Sequence, residues 1–560
     1  MKAQKTFDRD AAELSKVETL GSLRLRHHET NEIILIPTPS NDPNDPLNWP
    51  DHHITLKLTG YRSTAYRYYI ASLLCLAIFF CNFLAAGPTV AIIDITIYFF
   101  GPPGPNFVAH ISKVAYFFTT TALLQGMGNL IWMPLIVKYG RRPVYVSSFI
   151  LYTACAAWAG GAKTYGNELA ARIIMGFAAG AAECMAPLTI ADIFFLHERG
   201  TIMALYTCAL SCGVGGGIII AGLITIRHDW RMIYWVAVAL IGAATLLVIF
   251  TFPETSYNRS GATITGLNAT SEPSALHDTR RSLKEKPQFV EEEHHALTVA
   301  LQKHSYWQDL RIFTGTYTQE SFWKLFIRPV ILLCLPPVLW ATLVMSVTIG
   351  FLVAITSNFA TAFETVYHFK PWQSGLCFIA SIIGSLIAIF FGGHLSDHIA
   401  DYFTRRNGGI REPEMRLPAL AISVVTGPLA LILYGVGIEK QLHWMCATVG
   451  LGLLNFTIVQ ATNVTLVYTI DAYRPVAGEI TVTQFAFKSA FGFLLSFYTN
   501  PWIARSGYMN AFGTMAGISA AVMLCALPFY FFGKGIRHAT WHWPVVKRLA
   551  HWSEDREVGE

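Results

Sequence analysis

The stretch Lys138-Tyr139-Gly140-Arg141-Arg142-Pro143 sits between two apolar runs, near 113–136 and 143–162. Each run is long enough to cross a bilayer, which takes about 20 apolar residues as a helix. The lysine and two arginines between them must stay in water. Basic residues concentrate in short cytoplasmic loops, so this turn reads as an inner loop and sets the direction of every crossing before and after it.

The whole composition agrees with that reading. Of 560 residues, 53% are hydrophobic and 14% charged, and the mean hydropathy is +0.41. That is too much apolar surface for a water-soluble domain of ordinary composition, so a polytopic membrane protein with the lipid bilayer as solvent is expected. The net charge of +5 is spread over loops, without a basic stripe interleaved with aromatics, which argues against nucleic acid as a partner. All ten cysteines fall in apolar runs, where they act as small hydrophobes, and neither a disulfide framework nor a metal-ligand spacing is present.

Counting apolar runs outward from the loop places six crossings near 69–94, 113–136, 143–162, 168–190, 202–226 and 231–252. Six more fit near 329–356, 371–392, 418–437, 443–468, 478–503 and 508–533. The expected fold is therefore an all-α membrane protein of twelve spans in two six-helix halves, 67–252 and 329–533. A polar N-terminal tail (1–66) carries Asn41-Asp42-Pro43-Asn44-Asp45-Pro46, whose Pro, Asn and Asp density defeats helix and strand alike. A polar linker (253–328), with a short amphipathic helix expected near 289–303, and a C-terminal tail (534–560) rich in Trp complete the chain. Twelve crossings put both termini on the cytoplasmic side. Lys and Arg number nine in the four short inner loops against seven in the six outer ones.

A repeat strengthens the count, because Gly393-His394-Leu395-Ser396-Asp397 follows the second span of the second half as Gly140-Arg141-Arg142 follows that of the first. Both pieces resemble the loop pattern Gly-x-Leu-x-Asp-x-x-Gly-Arg-Arg/Lys of the major facilitator superfamily, with Met133 and Val137 departing from its glycine and acid in the first half. The Asp-Pro-x-Asp-Pro-x-Asn-Trp wording before the first span resembles the fungal drug:proton antiporter branch of that superfamily, and His197-Glu198-Arg199-Gly200, Pro253-Glu254-Thr255 and the run Asn407–Leu417 resemble fungal facilitators. Relatives in that branch include carriers associated with histidinol and polyamine uptake. The resemblance implies two pseudo-symmetric halves, alternating access, no cofactor, a monomer and, for this branch, the plasma membrane. In the fifth span the branch's antiporter motif appears only as Gly213-Val214-Gly215-Gly216-Gly217, with Val214 in place of the proline, which points to uptake over drug export.

The residues that could carry chemistry are those polar ones deep in the spans. In the fourth span, Arg172, Gly176, Gly180, Glu183 and Pro187 fall within about 80° of one another at 100° per residue, a polar stripe of small residues. Arg172 with Gly176 resembles the family's Arg-x-x-x-Gly motif, implicated there in proton transfer. Glu183 lies about 16 Å along the axis from Arg172, too far for a simple ion pair, and an intramembrane carboxylate is a functional candidate by default. A carboxylate without a permanent cation would titrate near neutral pH, so Glu183 with Arg172 is the expected proton-coupling element. Substrate in such folds sits between the halves at the midplane, which nominates Asn82, Glu183, Thr342, Asn455, Gln460 and Asn463 as lining, with the three amides of the tenth span on one face. Asp94 would meet a cation first if the first helix continues through it. Lys488 can pair with a carboxylate, compete with a cation for it, or snorkel. Asp192, Glu364, Asp471 and Glu479, at helix ends, are expected at the interfaces.

These observations describe a carrier of a small organic solute, cationic by the simplest compensation of a buried acid, coupled to protons. An exporter of toxic compounds on the same fold and a non-transporting nutrient sensor are the competing readings. A membrane enzyme ranks last, because no nucleophile with a partner, metal cluster or phosphate loop is present.

Overall fold

A computed structural model describes residues 21–24, 64–256, 308, 310–313, 315–318, 320–541, 543, 544 and 546. The expected amphipathic helix at 289–303, Asn41–Pro46 and the end of the C-terminal tail lie outside them.

Eleven helical runs are long and apolar enough to cross a membrane, and the last of them, Arg474–Trp541, is 68 residues long. At about 1.5 Å per residue such a rod would reach roughly 100 Å, more than three hydrocarbon thicknesses. Gly507, at φ 77° and ψ 166°, breaks it in two. Left-handed φ of this kind is open to glycine at no steric cost, and the described chain therefore makes twelve crossings.

We number these spans 1 to 12. Span 1 is Thr64–Ala86, continued by a 3₁₀ turn Gly87–Ala91 and a helix Ile92–Phe100. Span 2 is Phe107–Met127 with Asn129–Tyr139, span 3 Arg141–Gly161, span 4 Tyr165–Ile193, span 5 Leu196–Ile224 and span 6 Arg231–Thr251. After a separate helix Phe322–Leu332 come span 7, Pro336–Tyr367, and span 8, built from Pro371–Leu376, Ile379–Ile389, a π turn Phe390–Leu395 and Ser396–Arg406. Span 9 is Pro413–Leu420 with Ala421–Glu439, span 10 Met445–Ala472, and spans 11 and 12 lie either side of Gly507, the latter ending in Ala526–Trp541.

Of the boundaries that differ from expectation, three have a local cause. Span 7 begins at Pro336, not near 329, because Pro336 and Pro337 start a new helix where the missing N–H groups cost nothing. Span 8 runs on to Arg406, since a helix that has left the hydrocarbon needs no apolar residues to continue. Span 1 reaches Phe100 through a break at Gly87-Pro88. A proline at 88 supplies no N–H to the carbonyl four residues back, that of Leu84.

The opening loop shows why its residues are there. Gly140 has φ 90°, and a Cβ on it would stand 2.6 Å from Glu254 Oε2. Glu254 accepts hydrogen bonds from the backbone N–H of Arg141 (3.0 Å) and Arg142 (3.1 Å), a carboxylate on the positive end of span 3. Arg142 donates to the Phe252 and Ile249 carbonyls. Arg141 forms an ion pair with Asp192 at the end of span 4, so a neighbouring helix supplies the acid that Val137 does not. The other helix-end acids are also engaged: Glu479 meets Arg328 at 3.1 Å and Asp471 meets Arg416 at 3.5 Å, both carboxylates being buried. Glu364 alone of that group is exposed.

The halves touch at the end of the molecule that carries these basic loops. Asp397 accepts from Thr201 Oγ1 at 3.4 Å, and a Cβ on Gly200 would collide with the same carboxylate. Gly393, in the π turn, brings span 8 within a methyl contact of Ala204 in span 5. Close approach is also what Gly213 and Gly217 permit, their faces lying against the Phe79 and Phe83 carbonyls of span 1.

Candidate functional site

Between the halves lies a cavity of about 300 Å³, lined from spans 1, 2, 4, 5, 7, 10 and 11. Its floor is buried and its rim exposed. The floor holds Asn82, Gln125, Glu183, Ser211, Ile458 and Lys488; the rim holds Ser112, Thr361, Phe497, Asn500 and Pro501. The cavity therefore opens at the end opposite the basic loops, where the contacts just described close it.

Glu183 and Lys488 are the charged residues among those that line it. They come from opposite halves, spans 4 and 11, and form an ion pair in which Lys488 Nζ donates to Glu183 Oε1. Both side chains are almost fully buried, at 2% and 6% exposure. Lys488 Nζ also sits 4.7 Å from the centre of the Phe485 ring, a cation–π contact. Glu183 Oε2 has no hydrogen-bond partner among the described residues. The expectation that Glu183 stands without a permanent cation is thus corrected: Lys488, 305 residues away in sequence, is that cation. Of its three open readings, Lys488 takes the first.

Arg172 is not near Glu183 and does not snorkel. It is fully buried and held by Glu168 at 3.5 Å and by the Tyr234 hydroxyl, which itself donates to Glu168 Oε1. Its Nη1 donates to the Leu84 carbonyl at 2.9 Å. That is the carbonyl that Pro88 leaves without a partner, so Arg172 closes the hydrogen-bond gap that makes the bend of span 1 tolerable in lipid. Asn82, Ala85, Ala86, Thr89 and Ile92, which flank the bend, line the cavity. Gly176 and Gly180, which share the stripe, press against the Thr121 and Gln125 carbonyls of span 2.

The amides of span 10 point to three different neighbours, not to one polar face. Asn455 accepts from Ser211 Oγ at 2.7 Å and donates to its own Leu451 carbonyl, which places it one hydrogen bond behind the cavity wall. Gln460 donates to the Ala419 carbonyl at 2.9 Å and accepts from Ser423 at 2.7 Å, both toward span 9. Asn463 donates to the Gly392 carbonyl at 2.7 Å and the Gly200 carbonyl at 3.4 Å, joining the halves at the closed end. Thr342 bonds back to Val338 in its own helix. Asp94 is exposed in the first turn after the bend and does not line the cavity. Of the residues nominated as lining, Asn82 and Glu183 do line it. Sequence reasoning passed over Gln125, Tyr116, Ser489 and Asn500, although a glutamine amid the apolar residues of span 2 is a signal of the same kind as Glu183. Among the described residues, no group of three or more His, Cys, Asp and Glu is placed to hold a metal ion.

Comparison with known proteins agrees with this architecture. The family model described as Major Facilitator Superfamily matches residues 73–477. Protein HOL1 of Saccharomyces cerevisiae is 25% identical over 564 residues, covering 91% of each chain. An uncharacterized MFS-type transporter of Schizosaccharomyces pombe is 25% identical over 539 residues, covering 91% of this chain and 89% of its own. The MFS transporter cpaT of Aspergillus oryzae is 27% identical over 416 residues, covering 73% and 77%. Among solved structures, the proton:xylose symporter XylE of E. coli superposes with a TM-score of 0.55 at 15% identity, over 84% of this chain and 96% of that one, a likeness of fold. With its twelve crossings and a central cavity open at one end, the chain belongs to the major facilitator superfamily, a multi-pass membrane transporter and not an enzyme.

Proposed function

We propose that this transporter carries a small organic cation of the polyamine or related amine class, coupled to protons, with Glu183 as the acceptor of both. The observation that carries the reading is the state of Glu183: one oxygen on Lys488, the other without a partner at the floor of the cavity. An ammonium group has three N–H donors and satisfies that oxygen directly.

Charge balance gives the coupling. Glu183 and Lys488 together are neutral, and a cation added to them leaves a net charge in a low-dielectric site, which is costly unless a proton leaves. Binding of one ammonium to Glu183, with loss of the proton that Glu183 and Lys488 share, keeps the charge at the buried floor unchanged; a second ammonium of the same molecule would stay toward the exposed rim, outside that balance. A one-for-one exchange drives a monocation toward the proton-rich side. A dication entering for one proton leaving moves a net positive charge inward, favoured by about 2.3 kcal/mol per 100 mV of inside-negative potential. Uptake, to which Val137 and Val214 point, therefore goes with a dicationic amine. The inner side is taken as the end with the basic loops, with the plasma membrane as the site of action.

The test is uptake of a labelled panel of diamines, monoamines, amino acids and drugs by cells carrying or lacking the protein. Diamine accumulation lost on deletion supports the reading. Unchanged diamine uptake with hypersensitivity to several unrelated drugs replaces it with export of toxic compounds.

A further inference from the structure

The N-terminal region precedes span 1, yet a piece of it is docked on the other half of the molecule. Leu23–Arg24 (β1) pairs antiparallel with Ile410–Arg411 (β2) in the loop between spans 8 and 9, Leu23 opposite Arg411 and Arg24 opposite Ile410. Ser22 is 4% exposed and its Oγ donates to Glu412 Oε2 at 2.6 Å. Gly21 has φ 81°, and a Cβ on it would stand 2.9 Å from the Asp471 and Ala472 carbonyls at the end of span 10 and from Arg537 of span 12. Each of the four residues has its own reason to fit: a left-handed glycine in a tight cradle, a hydroxyl on a carboxylate, and two residues that pair as a strand with Ile410–Arg411.

The cradle is electrostatically fixed. Glu412 also receives Lys534 at 2.8 Å and Arg537 at 3.1 Å, and Arg537 holds Glu414 at 2.8 Å. Burial alone would raise the Glu412 carboxyl, and the bonds from Lys534 and Ser22 outweigh it and hold it below the usual carboxylate range. Arg411, one residue before, is buried beside Arg416; burial first, then that like charge, pulls its guanidinium down to about 10. Arg411 and Arg416 reach Asp397 at 4.0 Å and 2.7 Å, and Asp397 is the residue that meets Gly200 and Thr201 of the first half. A strand bond on Arg411 thus fixes the guanidinium that shares the carboxylate closing the basic end.

We propose that Gly21–Arg24 is a built-in strap: its docking on the loop between spans 8 and 9 holds Arg411 against Asp397 and stabilises the closed basic end, and its release favours opening there. This rests on the fold and on the family's alternating access, and is independent of the substrate. The occupant is the chain's own segment, because the added strand, the serine bond and the glycine cradle are all filled by it.

Hydrogen exchange on the full-length protein in lipid nanodiscs tests it, with Gly21→Val, which cannot take the cradle, and Ser22→Glu, which sets a carboxylate against Glu412. Both lie ahead of the helical bundle, so its folding is not at stake. The strap predicts several-fold faster exchange at Gly409–Arg411, the docking site, and also at Arg199–Met203, across the gate, with a synthetic peptide of residues 18–26 restoring both. Unchanged exchange at Gly409–Arg411 refutes the docking. Faster exchange there with no change at Arg199–Met203 refutes the coupling to the gate.

Discussion

Removing one member of the Glu183–Lys488 pair should harm the protein more than removing both. The two side chains are 2% and 6% exposed, and Glu183 Oε2 already lacks a partner among the described residues, so neither charge can turn to water when the other goes. Stranding a buried charge costs about 3–5 kcal/mol, whereas replacing a buried pair by residues of similar shape is near neutral or stabilising by about 1–4 kcal/mol. Lys488→Met and Glu183→Gln should each lower stability by about 3 kcal/mol or more, and the double variant should return to within about 1 kcal/mol of the parent, a coupling energy of several kcal/mol. The assay is an unfolding titration in mixed micelles followed by tryptophan fluorescence, with all four members of the cycle. Single variants within about 1 kcal/mol of the parent, adding simply in the double, would show that the two charges are independently solvated and would refute the pairing.

Other consequences can be checked separately. Arg172→Met should cost about 3–5 kcal/mol by stranding Glu168 and the Leu84 carbonyl, and Arg172→Lys should recover only part, since one ammonium lacks the planar fork that serves Leu84, Glu168 and Tyr234 together; the same titration reads both. The stabilisation from Glu412, whose carboxyl is depressed in the fold, is fully present above its ordinary value of 4.5 and is lost as pH falls through the depressed value; the stability difference between the parent and Glu412→Gln should therefore shrink on acidification below pH 4.5, and a difference that is flat with pH contradicts the contacts to Lys534 and Ser22. Asn258-Arg-Ser and Asn268-Ala-Thr, outside the described residues, lie in the segment assigned to the inside, so neither should be glycosylated. A glycosidase mobility shift abolished by Asn268→Gln would invert the orientation.

The spans were legible because hydropathy reports which residues leave water. It does not report which neighbour they meet. Glu183 stood out as an acid in mid-membrane, and it lines the cavity; its partner Lys488 was visible but unassignable, because the contact joins opposite halves and no local spacing encodes it. The amides of span 10 look like one face on a helical wheel, yet Asn455, Gln460 and Asn463 turn to spans 5, 9 and 8, since a fully surrounded helix has neighbours on every side. The pattern around Arg172 says nothing of Pro88, whose missing N–H leaves open the Leu84 carbonyl that the guanidinium meets in the fold. The docked segment Gly21–Arg24 was hidden in a tail of polar composition, where four residues that add a strand leave no periodic signal.

The most direct measurement reconstitutes the protein in liposomes with a trapped pH indicator and follows entry of a labelled linear diamine under an imposed inside-negative potential. The account predicts accumulation with one proton leaving per diamine, and a Glu183→Gln variant that inserts normally but shows neither concentrative uptake nor pH dependence. A Glu183→Gln variant that accumulates the diamine like the parent, with the same pH profile, contradicts it and leaves Glu183 a structural residue, with Asp94 as the next acid to examine.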